Sequence, residues 1–213
     1  MSISISPPFI NINIEVQAMD IEILKGTEFK VNVSSPIDNP RLFFSQVQNG
    51  TLIIKQNQDW YKFLASKINQ APYKVIIYLP EYTFLDNLNI STGMGSVSIS
   101  NVYIKHMNLN LGVGDLRTAK ISCSQLKVDA GVGNVFLDGQ FNGDIEVNAG
   151  VGKVEIDTRQ RFEDFNYNIT AGVKCINING ITTPKDFSKH FDDAIYNIKI
   201  EAGVGSIQIY TNL

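Results

Sequence analysis

The chain has 213 residues, 44% of them hydrophobic, with a net charge of −3 and a pI near 5.4. That is enough for one large domain or two small ones with a real core, and no apolar run nears the ~18 residues of a spanning helix. The acidic balance and the scattered Lys and Arg argue against nucleic acid and anionic membrane as partners.

The opening "MSISISPPFININIEV" lacks the basic and apolar regions of a signal peptide. Cys123 and Cys175 make neither a metal spacing nor a disulfide framework and fit a reducing compartment. The expectation is a cytoplasmic protein as given, with cell-envelope association if the chain is a trimmed piece.

From the N-terminus, "IEVQAMDIEI" at Ile14 parallels "IEVNAGVGKVEI" at Ile145, with the glycine corner two residues shorter. "EFKVNVSS", "GTLIIKQ" and "YKVIIYLPE" read as further strands. With no linker in sight, residues 1–213 form one domain: 1–85 as irregular capping rungs, 86–213 as regular ones. "NQDWYKFLASKINQAP" interrupts the N-terminal part and carries Trp60, Tyr61 and Phe63. Aromatics on an insertion either form a binding platform or cover a strand edge.

Beyond Asp86 the chain repeats itself. The first glycines of "AGVG"-like sites are Gly93, Gly112, Gly131 and Gly150, each 19 residues apart, then Gly172 and Gly203 after 22 and 31. Apolar residues recur three before each glycine (Ile90, Leu109, Val128, Val147, Ile169, Ile200) and four after it (Val97, Leu116, Val135, Val154, Ile176, Ile207). With polar residues between, this is the period-two alternation of strands with one buried face. A unit this short cannot bury that face alone, so stacking as a parallel β-solenoid is expected, with rungs of about 19–22 residues.

A phosphate-binding turn would need a third glycine and a following helix, and would occur once. Here Ser98, Arg117, Phe136 and Glu155 occupy the third position and a strand follows. The glycines are corners, expected at positive φ. The apolar residue between them (Met94, Val113, Val132, Val151, Val173, Val204) is expected to fill the corner from inside. Outward ladders such as Asn110, Asp129 and Asn148, or Lys127 beside Glu146, read as a solvated face.

The last unit carries the insertion "ITTPKDFSKHFDDAIY". Thr183 as N-cap with Pro184 after it predicts a short helix. Phe187 or Phe191 is expected to fold over a terminal apolar column ending in Ile200 and Ile207. These two, with Trp60, Tyr61 and Phe63, form the candidate interaction surface.

An early "DIEIL", then "NGTLIIKQ", "YKVIIYLPE" and repeated "GxGxVxI" units resemble the bacterial "putative adhesin" domains of unknown function, over Ile12 to Ile209. The resemblance implies a β-solenoid, often attached to envelope systems in other members, and no catalytic residues. This chain departs from the secreted members in lacking an export signal. The residues point the same way: no Gly-x-Ser-x-Gly elbow, no Walker motif, two isolated histidines, and aspartates at different rung offsets. The reading is a non-catalytic binding or scaffold protein without cofactor, its partner an unknown protein or glycan. The alternatives are a bactofilin-like element that self-associates through its ends, or a polysaccharide-active enzyme.

Overall fold

The computed structural model describes residues 2–4, 8–34, 43–57, 73–172 and 175–212. Among them the protein is all-β: no α-helix occurs, only a single 3-10 turn at Phe162–Asp164. Among the described residues no helix is long and apolar enough to cross a membrane. The N-terminal strands are β1 (Ser2–Ser4), β2 (Asn11–Ala18), β3 (Asp20–Gly26), β4 (Lys30–Ser34), β5 (Phe43–Gln48), β6 (Thr51–Gln56) and β7 (Lys74–Pro80). The repeated part begins with β8 (Phe84–Met94), β9 (Val97–Ser100), β10 (Tyr103–Val113), β11 (Leu116–Ala119), β12 (Ile121–Val132) and β13 (Val135–Phe141). It continues with β14 (Ile145–Val151), β15 (Val154–Arg161), β16 (Phe165–Ala171) and β17 (Ile176–Ile178). Last come β18 (Ile181–Thr183), β19 (Asp186–Lys189), β20 (Tyr196–Val204) and β21 (Ile207–Asn212).

Alternation gives each strand one apolar edge, and pairing with the equivalent strand one unit away aligns those edges. Val128 pairs with Leu109 on one side and Val147 on the other, and Val135 with Leu116 and Val154. Ile54, Ile14, Ile90, Leu109, Val128, Val147, Ile200 and Ile169 form one buried column, none more than 2% exposed. A second runs through Val97, Leu116, Val135, Val154 and Ile207, and a third face contributes Leu85, Ile104, Cys123 and Phe141.

The strand order departs from chain order at both ends. β2 lies between β6 and β8, and β20 between β14 and β16; β3 and β21 are likewise intercalated. The outermost unit is therefore β16–β17, and Ile200 and Ile207 lie inside the stack. The expected cap over a column ending in those two residues is corrected accordingly. The outer strands β18 and β19 close β17 and β16 by antiparallel pairing. The short helix expected from Thr183 and Pro184 is absent: the segment is strand on both sides of Pro184.

Candidate functional site

The glycine corners decide the outer surface. In four of the five Gly-x-Gly corners positive φ falls on the second glycine, 132° at Gly95, 146° at Gly114, 147° at Gly133 and 146° at Gly152, whereas Gly205 lies outside that region. The first glycine lies outside that region and is needed for a different reason. A Cβ on Gly131 would sit 2.4 Å from the Gly112 carbonyl oxygen of the neighbouring unit. Positive φ at Gly131 and Gly150 was the expectation, and the structure replaces it with backbone crowding.

The residue between the glycines does not fill the corner. Met94, Val113, Val132, Val151 and Val204 are 46–55% exposed. The space inside is occupied by the residue before the first glycine: Leu111, Ala130, Ala149 and Ala202 are buried. Counting alternation forward from the first strand puts the middle residue inside; counting back from the second puts it outside. Alternation already breaks after the residue before the first glycine, since Gly131 and Val132 are both exposed following buried Ala130, and the second count holds.

These five side chains pair in register, Met94 with Val113, Val113 with Val132, Val132 with Val151 and Val151 with Val204. They form an apolar ridge. Beside it runs a groove of about 900 Å³ with Gly112, Gly131, Gly150 and Gly203 along it. Its outer wall carries Asn110, Asp129, Asn148 and Glu201, where Asn148 Nδ2 donates to Asp129 Oδ1 at 2.7 Å.

On the other flank of the ridge a side-chain ladder ties unit to unit. Asp20 Oδ1 accepts from the Ser96 N–H (2.8 Å), Asp115 Oδ1 from the Asn134 N–H (2.8 Å) and Asn134 Oδ1 from the Lys153 N–H (3.0 Å). These oxygens are engaged within the fold. So are Asp138, bonded to Arg159 at 3.0 Å, and Asp144, which accepts from the Asn197 N–H at 2.8 Å. Among the described residues no three His, Cys, Asp or Glu come together as a metal site. The Cys123 thiol is buried, which pushes its pKa up to about 11 and keeps it protonated.

Of the candidate surface residues, Trp60, Tyr61 and Phe63 lie outside the described residues, as do Val173 and Lys174. Phe187 and Phe191 are half-buried in an aromatic cluster at the β16 edge. Phe187 meets Tyr167 edge-on at 6.0 Å between ring centres, and Phe191 meets Phe162 at 5.3 Å. Phe162 stacks on Tyr167, whose hydroxyl donates to the Phe162 carbonyl at 2.9 Å. Burial, with Glu163 and Asp164 nearby, holds that phenol well above the ordinary tyrosine range. The structure thus brings these two phenylalanines into one cluster at the β16 edge, and the ridge is a surface that the sequence did not single out.

The model of the family described as "Toastrack DUF4097" matches residues 9–209. The chain is similar in structure to a "putative adhesin" from Bacteroides fragilis NCTC 9343, with 18% identity, a TM-score of 0.54 and coverage of 98% of this chain and 96% of that one. A "putative cell adhesion protein" from Clostridium sporogenes ATCC 15579 has 17% identity and a TM-score of 0.48, covering 100% and 98%. A "putative lipid binding protein" from Parabacteroides distasonis ATCC 8503 has 14% identity and a TM-score of 0.35, covering 100% and 96%. No curated protein matches the chain.

Proposed function

We propose, from the premise that this chain belongs to the Toastrack DUF4097 family, that it is a single-domain parallel β-solenoid serving as a non-catalytic, adhesin-like binding or scaffold protein. The observation that carries this reading is the ridge and groove at the corner. They repeat one chemistry from unit to unit along the molecule, an aliphatic side chain beside a polar wall, rather than converging donors and acids on one point. Such a surface suits an extended partner, a protein or a glycan. The carboxylates being tied into ladders favours the same reading, since an acid or base catalyst must be free to exchange protons with a substrate.

The testing experiment is capture from a native cell lysate together with a glycan array, comparing the wild type with Val132→Lys/Val151→Lys. Specific capture that the double variant loses supports the reading. Turnover of an acidic polysaccharide, with or without calcium, abolished by a single Asp→Ala change would replace it with an enzyme.

A further inference from the structure

We propose that the ridge and its groove form a two-fold interface between two copies of this chain; the inference deepens the binding reading by naming the partner of the same surface. Strands pair about 4.8 Å apart, so the five ridge side chains form a line roughly 19 Å long, half-exposed throughout. Contiguous exposed apolar surface of this kind marks an interaction site.

The glycines along the groove cannot carry side chains that would fill it. A Cβ on Gly112, Gly131, Gly150 or Gly203 would lie 2.3–2.7 Å from a backbone oxygen of the next unit. Ridge and groove therefore run side by side with one common step. Turning a second copy by half a rotation about an axis parallel to them lays its ridge over this groove, and this ridge over its groove. Each unit then meets its own equivalent, the self-complementary arrangement of a two-fold dimer. A half-rotation about the perpendicular axis sets ridge on ridge and leaves both grooves uncovered.

The flanking polar residues agree with the first arrangement. It sets the groove wall of one copy against the far flank of the other's ridge, level by level. Asn110 faces Asp115, Asp129 faces Asn134, Asn148 faces Lys153, and Glu201 faces Ser206. Beyond the bonds these groups make within their own chain, each pair sets remaining donor capacity against remaining acceptor capacity, such as the second N–H of Asn134 against Asp129 Oδ2, and no like charges meet. A strip roughly 19 Å long and a few side chains wide falls short of the ~800 Å² per partner of a standard interface, so the dimer is weak and in rapid exchange. The end closed by β18 and β19 is a poorer docking surface: these strands are three and four residues long, with Pro184 between them and Lys189 at the rim.

Sedimentation velocity of the full chain from micromolar to millimolar concentration tests the proposal. The expected result is a concentration-dependent dimer that Val132→Lys/Val151→Lys weakens at least tenfold, while the melting curve of that variant matches the wild type. For orientation, Asp129→Cys and Asn134→Cys variants, both in a Cys175→Ser background, are mixed under mild oxidation. A mixed disulfide dimer supports ridge in groove. A chain that stays monomeric throughout, or a dimer indifferent to the double lysine change, overturns the proposal. Rapid disulfide formation by Val132→Cys alone signals ridge on ridge and overturns the arrangement. Specific capture of a protein or glycan by a strictly monomeric chain would remove the dimer and keep the binding reading. Enzymatic turnover would remove that reading without bearing on the dimer.

Discussion

Gly131 and Gly133 stand two residues apart and are glycine for different reasons. At Gly133 the backbone is in the positive-φ region, and a Cβ would also meet the Gly114 carbonyl at 2.0 Å. At Gly131 the conformation is available to other residues, but the neighbouring carbonyl at 2.4 Å is not an atom that can move aside. Gly131→Ala is therefore expected to cost at least ~1 kcal/mol. Gly50, at φ 69° in the turn between β5 and β6 with nothing within 4 Å of its missing Cβ, is the control. Gly50→Asn should be close to neutral, because asparagine tolerates this region. Urea denaturation of both variants checks the contrast, and equal midpoints would refute it.

The same scale separates core from surface within one strand. Val147 is fully buried and Glu146 is its half-exposed neighbour, with Lys127 Nζ at 3.5 Å. Val147→Ala removes two methyl groups and should cost ~1 to 3 kcal/mol. Glu146→Ala should cost less than ~1 kcal/mol, because an exposed ion pair is worth little. Reversed sensitivities in the same denaturation series would mean the register is wrong by one residue.

At the scale of elements, the insertion shows how an edge overrides a local helix signal. Thr183 and Pro184 can start a helix, but a segment this short stays helical only if packing holds it. β16 and β17 meanwhile have unpaired backbone groups on their outer sides, and those groups need partners. The chain satisfies them with β18 and β19, whose Phe187 pairs opposite Ile169. Replacing residues 182–193 by a short Gly-Ser bridge should uncover both edges and the half-buried aromatic cluster. Light scattering and size-exclusion chromatography should then show association of the deletion variant. A monomer of unchanged stability would mean the edges are protected by something else.

For the molecule as a whole, the intercalated strands matter most. Because β20 and β21 sit between β14–β15 and β16–β17, the last unit in sequence is not the last in space. Removing residues 196–212 should not merely shorten the stack by one unit. It should separate β16–β19 from the rest, exposing the core residues Val147 and Val154 on one side of the gap and Ile169 on the other. Limited proteolysis should cut first within residues 165–193 of the truncated chain. A truncated chain that resists proteolysis there and melts in one transition would show that β14 and β16 can pair directly.

Sequence alone determined the strands, their faces and the unit length. Each of these is written in local periodicity: Val128, Val135, Val147 and Val154 alternate with polar neighbours, and the glycines return every 19 residues from Gly93 to Gly150. It also pointed away from a converging catalytic site. The tertiary structure decided three things that periodicity does not encode. It set which unit neighbours which, since β14 and β16 offer the same apolar edge to β20 and only the closed assembly picks both. It made the insertion strand rather than helix, because the demand came from edges distant in the chain. And it turned Val113, Val132 and Val151 outward, because alternation is already broken ahead of the positive-φ glycine and the packed Leu111, Ala130 and Ala149 leave no room inside.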